Sequence, residues 1–337
     1  MGRVRLQDVA EVAGVSMKTV SNVVHNYAHV SQPMRERVQQ AIDELGYRPN
    51  ALGRSLATGK TGMLALAFSD VSLPYFSELA RIVSMEASRR GYRLLLEQTD
   101  GTLEGERAVI AMTEAGLVDG IIFQPSTMSA LEIARHRADT PLVLLGEGSA
   151  PLSVDRVMID NVEAAMAATR HLLAMGRRRI GFLGHEQDKL SATSQQRLMG
   201  YQEALEVAGM RVDTALLIPS RSISSRDAAR ATGEALDRGL QLDALFCRDD
   251  LAAIGALRAL QERGLAVPGD VAVIGWDNIS MSAFTYPSLT TVAADTSALA
   301  SAALDLLEER IAGYAGAGRH KLVDYSLELR ESAPQLP

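Results

Sequence analysis

The chain has 337 residues, 47% of them hydrophobic and 22% charged, with a formal net charge of −7. At about 150 residues per domain this is enough for two or three domains with sizeable cores. The acidic balance excludes wrapping on nucleic acid by bulk charge, the single cysteine (Cys247) excludes an intrachain disulfide, and no apolar run reaches the ~18 residues of a membrane-spanning helix.

The charge is unevenly placed. Residues 1–60 carry eight basic side chains (Arg3, Arg5, Lys18, Arg35, Arg37, Arg48, Arg54, Lys60) and five acidic ones (Asp8, Glu11, Glu36, Asp43, Glu44), a balance of +3 that leaves −10 on the remainder. A small basic head on an acidic body is expected where one end alone meets phosphate. Met1, Gly2, Arg3 and Val4 lead straight into a polar helix pattern, with no apolar leader before a small-residue cleavage site, so a cytoplasmic location is expected.

Leu6, Val9, Ala10 and Ala13 are apolar at helical spacing, and Gly14 follows where a left-handed exit favours a residue without Cβ. Ser16 is an N-cap candidate for a second helix that turns Val20, Val23 and Val24 inward and leaves Met17, Lys18, Ser21, Asn22 and His25 outward. This is the pattern of a helix-turn-helix that reads DNA; the bland alternative is an αα-hairpin packed on the rest of the fold. After a polar loop, Asn26 to Ser31, a third helix is expected, capped at Ser31, with Pro33 in its first turn and Gly46 at its end. Tyr47-Arg48-Pro49-Asn50 breaks the chain. Ala51–Thr58 is then helix-capable but too short to be stable alone, and it carries Leu52 and Leu56. It reads either as a linker that orders on binding or as a plain connector whose leucines rest on the next domain.

From Met63 the pattern becomes alternating strands and helices. Strands are expected at Met63–Phe68, Tyr92–Glu97, Val118–Phe123, Leu142–Leu145, Val157–Ile159, Ile180–Leu183, Ala215–Ile218, Ala244–Phe246, Val271–Ile274, Thr291–Val292, Leu322–Tyr325 and Leu327–Leu329. Helices are expected at Pro74–Arg90, Leu103–Glu114, Ser129–His136, Val162–Met175, Gln195–Ala208, Ser225–Arg238, Leu251–Arg263 and Thr296–Ile311. Short apolar runs in β-α order fit parallel strands buried on both faces. The count suits two α/β lobes, split near Asp160, with a return to the first lobe near Val292.

Ligands of open α/β sheets sit beyond the C-terminal strand ends. Those positions hold Asp70, Tyr75 and Phe76, then Gln124, Gly146-Glu147, His185-Glu186, Arg197, Arg248-Asp249-Asp250 and Trp276-Asp277-Asn278. Acids that accept, an arginine that donates and aromatic faces that stack suit a polyhydroxylated ligand. Asp160 and Asp250 read equally well as helix caps. Chemistry finds less support. There is no GxGxxG or Walker A pattern, and the six histidines form no HExxH. Cys247 can be read as a nucleophile but fits better as a small buried residue. No cofactor and no metal site are expected.

LQDVAEVAGVSMKTVSNVV, HVS and ELGYRPNALGRSLATGKT resemble the DNA-binding head of the LacI/GalR (lactose/galactose repressor) family of bacterial transcription regulators. DVSLPYF, GLVDGIIF, VMIDNVEAA, RRRIGFLG, DALFCRDDLAAIGAL, VPGDVAVIGWDN and PSLTTV follow in the family's order. The resemblance implies a small all-α helix-turn-helix head plus a two-lobed, periplasmic-binding-protein-like α/β core with parallel sheets. It implies a homodimer on a pseudopalindromic double-stranded operator, controlled by a small effector. A periplasmic sugar-binding protein is disfavoured by the basic head. Boundaries are expected at 1–48 (head), 49–61 (hinge helix and linker) and 62–337 (core). Within the core, the N-lobe takes about 62–161 and 292–322 and the C-lobe about 162–291 and 323–332.

By the same resemblance, Met17, Lys18 and Asn22 meet base edges, while Ser16, Thr19, Ser21, His29 and Ser31 meet phosphate. Asn50, Arg54 and Leu56 match the family's hinge helix, with Leu56 at the position of a leucine wedged into the minor groove. Gly53 stands where the family usually has alanine and should make that helix order less readily. Tyr75, Phe76, Arg197, Asp249 and Asp277 fall in the effector cleft, with Asp70 and Gln124 as additions. Leu73-Pro74 replaces the Asn-Pro common among sugar-binding members. A neutral sugar or polyol is the first expectation, and a purine-like or phosphorylated corepressor the second. The chain stops at Pro337 without the leucine-repeat tail of the family's tetrameric branch, so a dimer is expected.

Overall fold

The computed structural model describes residues 4–24, 27, 29–47, 60–136, 140–148, 150–185 and 191–335. It divides into two compact units, Met1–Thr61 and Gly62–Pro337.

The first unit contains α1 (Leu6–Ala13), α2 (Met17–Val24) and α3 (Gln32–Leu45), closed on Val9, Ala13, Val20, Val23, Val38, Ala41 and Tyr47. Gly14 sits at φ +65°, and its N–H returns to Ala10 and Glu11 carbonyls, so the turn is made where no Cβ interferes. The Ser16 hydroxyl accepts from the Thr19 N–H at 3.1 Å and caps α2. Ser31 differs: it occupies the cap position of α3 but its side chain makes no capping bond. Proline in the first turn already supplies the helical φ there.

The second unit contains two six-stranded sheets. The first has the order β11-β5-β4-β3-β1-β2, from β1 (Met63–Phe68), β2 (Arg93–Gln98), β3 (Gly120–Phe123), β4 (Leu142–Leu145), β5 (Asp155–Met158) and β11 (His320–Leu322). The second has the order β12-β10-β9-β8-β6-β7, from β6 (Ile180–His185), β7 (Leu217–Pro219), β8 (Ala244–Cys247), β9 (Ala272–Trp276), β10 (Thr290–Ala294) and β12 (Tyr325–Glu328). All pairings are parallel except β10 with β12. The helices are α4 (Pro74–Arg89), α5 (Leu103–Glu114), α6 (Ala130–His136), α7 (Asn161–Ala174), α8 (Ala192–Val207), α9 (Ser225–Asp237), α10 (Asp250–Glu262) and α11 (Thr296–Ile311). Central strands β3, β4 and β8 are buried along their whole length, which is why they read as unbroken apolar runs.

The chain passes between the lobes three times: after β5, after β10 and between β11 and β12. One of these, and one strand near another, differ from the sequence reading. The return expected near Val292 comes later, because β10 stays paired with β9 in the second sheet and only α11 packs back on β3, β4 and β5. The strand expected at Leu322–Tyr325 is the end of β11 and the start of β12, which belong to opposite lobes.

Candidate DNA-reading helix and effector cavity

On α2, Met17 is 54% exposed and Lys18 is exposed, as are Ser16 before it and His29 and Ser31 beyond. Thr19, Ser21 and Asn22 are half-buried. The Ser16 and Thr19 hydroxyls lie 2.9 Å apart and bond to each other. Tyr27 packs edge-on to the His29 ring at 5.5 Å. The hinge assignments Asn50, Arg54 and Leu56, and the outward His25, lie outside the described residues.

Between the two sheets, at their C-terminal ends, is a cavity of about 510 Å³. That lies in the ordinary range for small-molecule sites, ~300–1,000 Å³. The sequence places Tyr75 and Phe76 on the first turn of α4 and Gln124 after β3, and all three line it. From the other lobe come Arg197 on α8, Asp249 after β8 and Asp277 after β9. Phe76 is mainly a wall: it is 9% exposed and stacks on Phe68 at 5.0 Å with planes 2° apart. Tyr75 meets it edge-on at 5.3 Å. Burial, and then Asp277 and Glu147, push the Tyr75 phenol up, so it stays protonated and able to donate.

Arg197 organises the polar end. Its guanidinium lies 4.0 Å above the Trp276 ring. Nε donates to Asn161 Oδ1 at 3.0 Å, and Nη1 donates to the Arg248 carbonyl. Nη2 stands 4.0 Å from Asp277 Oδ1, close enough to attract and too far to hydrogen-bond. Burial, opposed by Arg197, pushes the Asp277 carboxyl well above the usual range. On the first lobe, Glu147 accepts from Asn161 Nδ2 and from Thr193 Oγ1, the latter at 2.8 Å. One carboxylate thus ties α7 and α8 to the loop after β4.

Two sequence assignments change. Asp70 does not line the cavity; its carboxylate accepts from the Ser72 N–H two residues on, at 2.8 Å, and makes the turn before α4. The roles of Asp249 and Asp250 are exchanged in part. Asp249, read as an effector contact, caps α10 through the Ala252 N–H at 2.7 Å and accepts from Arg248 Nε at 2.9 Å, while still lining the cavity. Asp250, read as the cap, is 1% exposed and turned away into the second lobe. Asp160 does cap α7, through the Glu163 N–H at 3.0 Å. Glu147, Asn161, Thr193, Arg248 and Trp276 also line the cavity without having been chosen. Glu147, Arg248 and Trp276 followed strands and had the same positional signal as those selected. Thr193 had none, because α8 begins at Ala192, three residues before the expected Gln195. Cys247 is wholly buried, its thiol pushed well up by burial, and packs in the second-lobe core.

A helix-turn-helix and a two-lobed α/β body around a cavity with polar and aromatic walls define a ligand-responsive DNA-binding regulator. The family model "Bacterial regulatory proteins, lacI family" matches residues 5–50, and "Periplasmic binding protein-like domain" matches 169–333. The transcriptional regulator DegA of Bacillus subtilis (strain 168) is 34% identical over 295 residues, 86% of each chain. The CelR–cellobiose complex is 30% identical with a TM-score of 0.72, covering 98% of this chain and all of the other. The lac repressor dimer bound to operator and an anti-inducer is 26% identical with a TM-score of 0.86, covering 99% of this chain and all of that one. The chain belongs to the LacI family of bacterial regulatory proteins. Among the described residues no helix is long and apolar enough to cross a membrane.

Proposed function

We propose that this regulator represses transcription from a pseudopalindromic operator as a homodimer, and that a neutral sugar or related polyol in the cavity sets its operator affinity. The observation that carries the effector half is the open pair Asp277–Arg197, 4.0 Å apart over the Trp276 face. A carboxylate oxygen that accepts and a guanidinium nitrogen that donates can share neighbouring hydroxyls of one ligand, while apolar ring faces rest on aromatic walls. The cellobiose-bound relative supports the same class.

A purine-like or phosphorylated corepressor is the second reading. Its strongest support is the buried Arg248 at the cavity. That cation is already held by Asp249 and by the Gly184 carbonyl at 3.2 Å, which weakens the case for phosphate. On the DNA side, the proposed base contacts are Met17, Lys18 and Asn22, with Ser16, Thr19, Ser21, His29 and Ser31 on phosphate. The reading is of binding, not catalysis.

A thermal-shift screen of sugars, polyols, nucleobases and sugar phosphates tests the effector class. A ligand that binds only the folded chain raises Tm in proportion to the logarithm of its concentration. A neutral sugar or polyol is expected to raise Tm. A response confined to purines or phosphorylated compounds would replace the first reading with the second.

A further inference from the structure

Helix α10 opens on two adjacent aspartates that face opposite ways. Asp249 lines the cavity, whereas Asp250 does not reach it. Asp250 Oδ2 accepts from the Ile279 N–H at 2.9 Å and from Ser282 Oγ at 2.6 Å. Its Oδ1 accepts from Thr291 Oγ1 at 2.6 Å. The Thr291 oxygen in turn accepts from the Asn278 N–H at 3.3 Å. Asp250 therefore gathers donors from the loop after β9 and from β10, two segments that also meet directly and through Arg330.

The loop so held begins at Asp277, and its first two residues are left-handed, Asp277 at φ +107° and Asn278 at φ +52°. Side-chain-bearing residues adopt such angles at a cost in free energy and keep them where the surroundings over-determine the backbone. Asp277 N–H donates to the Val292 carbonyl at 2.9 Å, and Arg330 Nη2 donates to Asn278 Oδ1 at 2.7 Å. The strand beside the carboxylate is also shaped for it. A Cβ on Gly275 would lie 2.2 Å from Asp250 Oδ1, so β9 leaves out a side chain where the acid sits.

We propose that Asp250 is a positioning residue for the effector site: it holds the loop after β9 in the left-handed conformation that turns the Asp277 carboxylate into the cavity. Asp250 makes no ligand contact itself. Its importance to the effector rests on the reading of Asp277 given above, whereas the positioning can be tested with no ligand present.

The experiment is hydrogen exchange, read by mass spectrometry, on the full-length wild type and on Asp250→Asn, Thr291→Val and Thr291→Ser. An amide at position 250 is uncharged and has one accepting oxygen. With its NH₂ towards Thr291 it reverses that bond and leaves Ile279 and Ser282 weaker, neutral bonds; turned the other way, the NH₂ meets the Ile279 N–H. Peptides covering 278–282 are expected to exchange roughly tenfold faster in Asp250→Asn. Peptides from β8, β9 and β10 should keep their protection. Emission from Trp276, the only tryptophan of the chain and the neighbour of Asp277, should shift in the same variant. Thr291→Val should reproduce the fast exchange and Thr291→Ser, which keeps the hydroxyl, should not. Unchanged exchange at 278–282 in Asp250→Asn overturns the proposal. So does protection lost throughout the second sheet, which would make Asp250 a general fold element. If Asp250→Asn does not fold, the Thr291 pair decides: equal exchange in Val and Ser variants overturns it. Failure of Asp277 as an effector contact would appear only in ligand titrations and leaves these outcomes untouched.

Discussion

Asp277 and Arg197 are each largely enclosed, with side chains 16% and 11% exposed, yet they stop short of bonding to one another. Arg197 is otherwise engaged through Asn161, the Arg248 carbonyl and Trp276, so it keeps its place without Asp277. Asp277→Asn should therefore leave the fold intact and remove the ligand-induced rise in Tm, since leaving a buried hydrogen-bonding group mispaired costs about 1–3 kcal/mol. A variant that keeps the full ligand response would remove Asp277 from the site.

The same scale holds two carboxylates whose pH effects have opposite sign. Burial pushes Asp250 up to about 6 against the hydrogen bonds from Ser282, Thr291 and Ile279. Between about pH 4 and 6 the folded chain thus keeps a proton that the unfolded chain has released, and stability falls as pH rises through that window, by about 3 kcal/mol in all. Burial also raises Asp155, but hydrogen bonds from Arg310 and Arg319 outweigh it and hold the group at about 2. That contribution is present above about pH 4 and is lost as pH falls towards 2. Urea unfolding of wild type and Asp250→Asn between pH 4 and 7 separates the two. The stability difference between the chains should change across pH 4–6, and a constant difference contradicts the assignment.

At the scale of elements, strand or helix bounds at Met63–Phe68, Leu103–Glu114, Leu142–Leu145 and Thr296–Ile311 were legible to the residue. Each is an apolar run or an amphipathic turn series with a clear stop. The strands near the C-terminus were not. β11 is three exposed residues, and what makes it a strand is its pairing with β5, more than 150 positions away. Positions beyond strand ends marked the cavity, because parallel sheets gather those ends. The resemblance put Asp249 rather than Asp250 at the cavity, and it lines it; which of the two adjacent acids caps the helix was not legible, since they differ by one position and not by residue type.

Two predictions belong to the elements that meet DNA. Lys18 and Asn22 are proposed to read bases, so exchanging either should cost about 1–3 kcal/mol on the cognate operator and relax preference at one base pair per half-site. A selection experiment that returns the same half-site for Lys18→Ala and wild type would move Lys18 to the phosphate contacts. In the proposed hinge helix, Gly53→Ala should favour helix by about 0.5–1 kcal/mol per subunit and tighten operator binding. Equal affinities in a binding titration would count against a helix at that position.

At the scale of the whole molecule, the head carries +3 and the rest of the chain −10. A head of that charge gathers few phosphates alone, so the proposed affinity depends on doubling by a second subunit and on the hinge. The two-lobe plan was legible from the repeated β-α order. The expected lobe bounds already implied three crossings, but the second was placed too early, because the run Thr290–Ala294 carries no local mark of the sheet it joins. Those crossings matter mechanically. In the control proposed above, the lobes change their angle about these three passes, and a ligand can shift that angle only by its difference in affinity for the two arrangements.

The most direct test of the account is operator binding measured with and without the ligand that the thermal screen finds, on wild type and on Asp277→Asn. The account predicts a protected pseudopalindrome for both chains, an operator Kd that changes with ligand in the wild type, and no such change in Asp277→Asn. Absence of a protected pseudopalindrome at any protein concentration, or a ligand response that survives in Asp277→Asn, would contradict it.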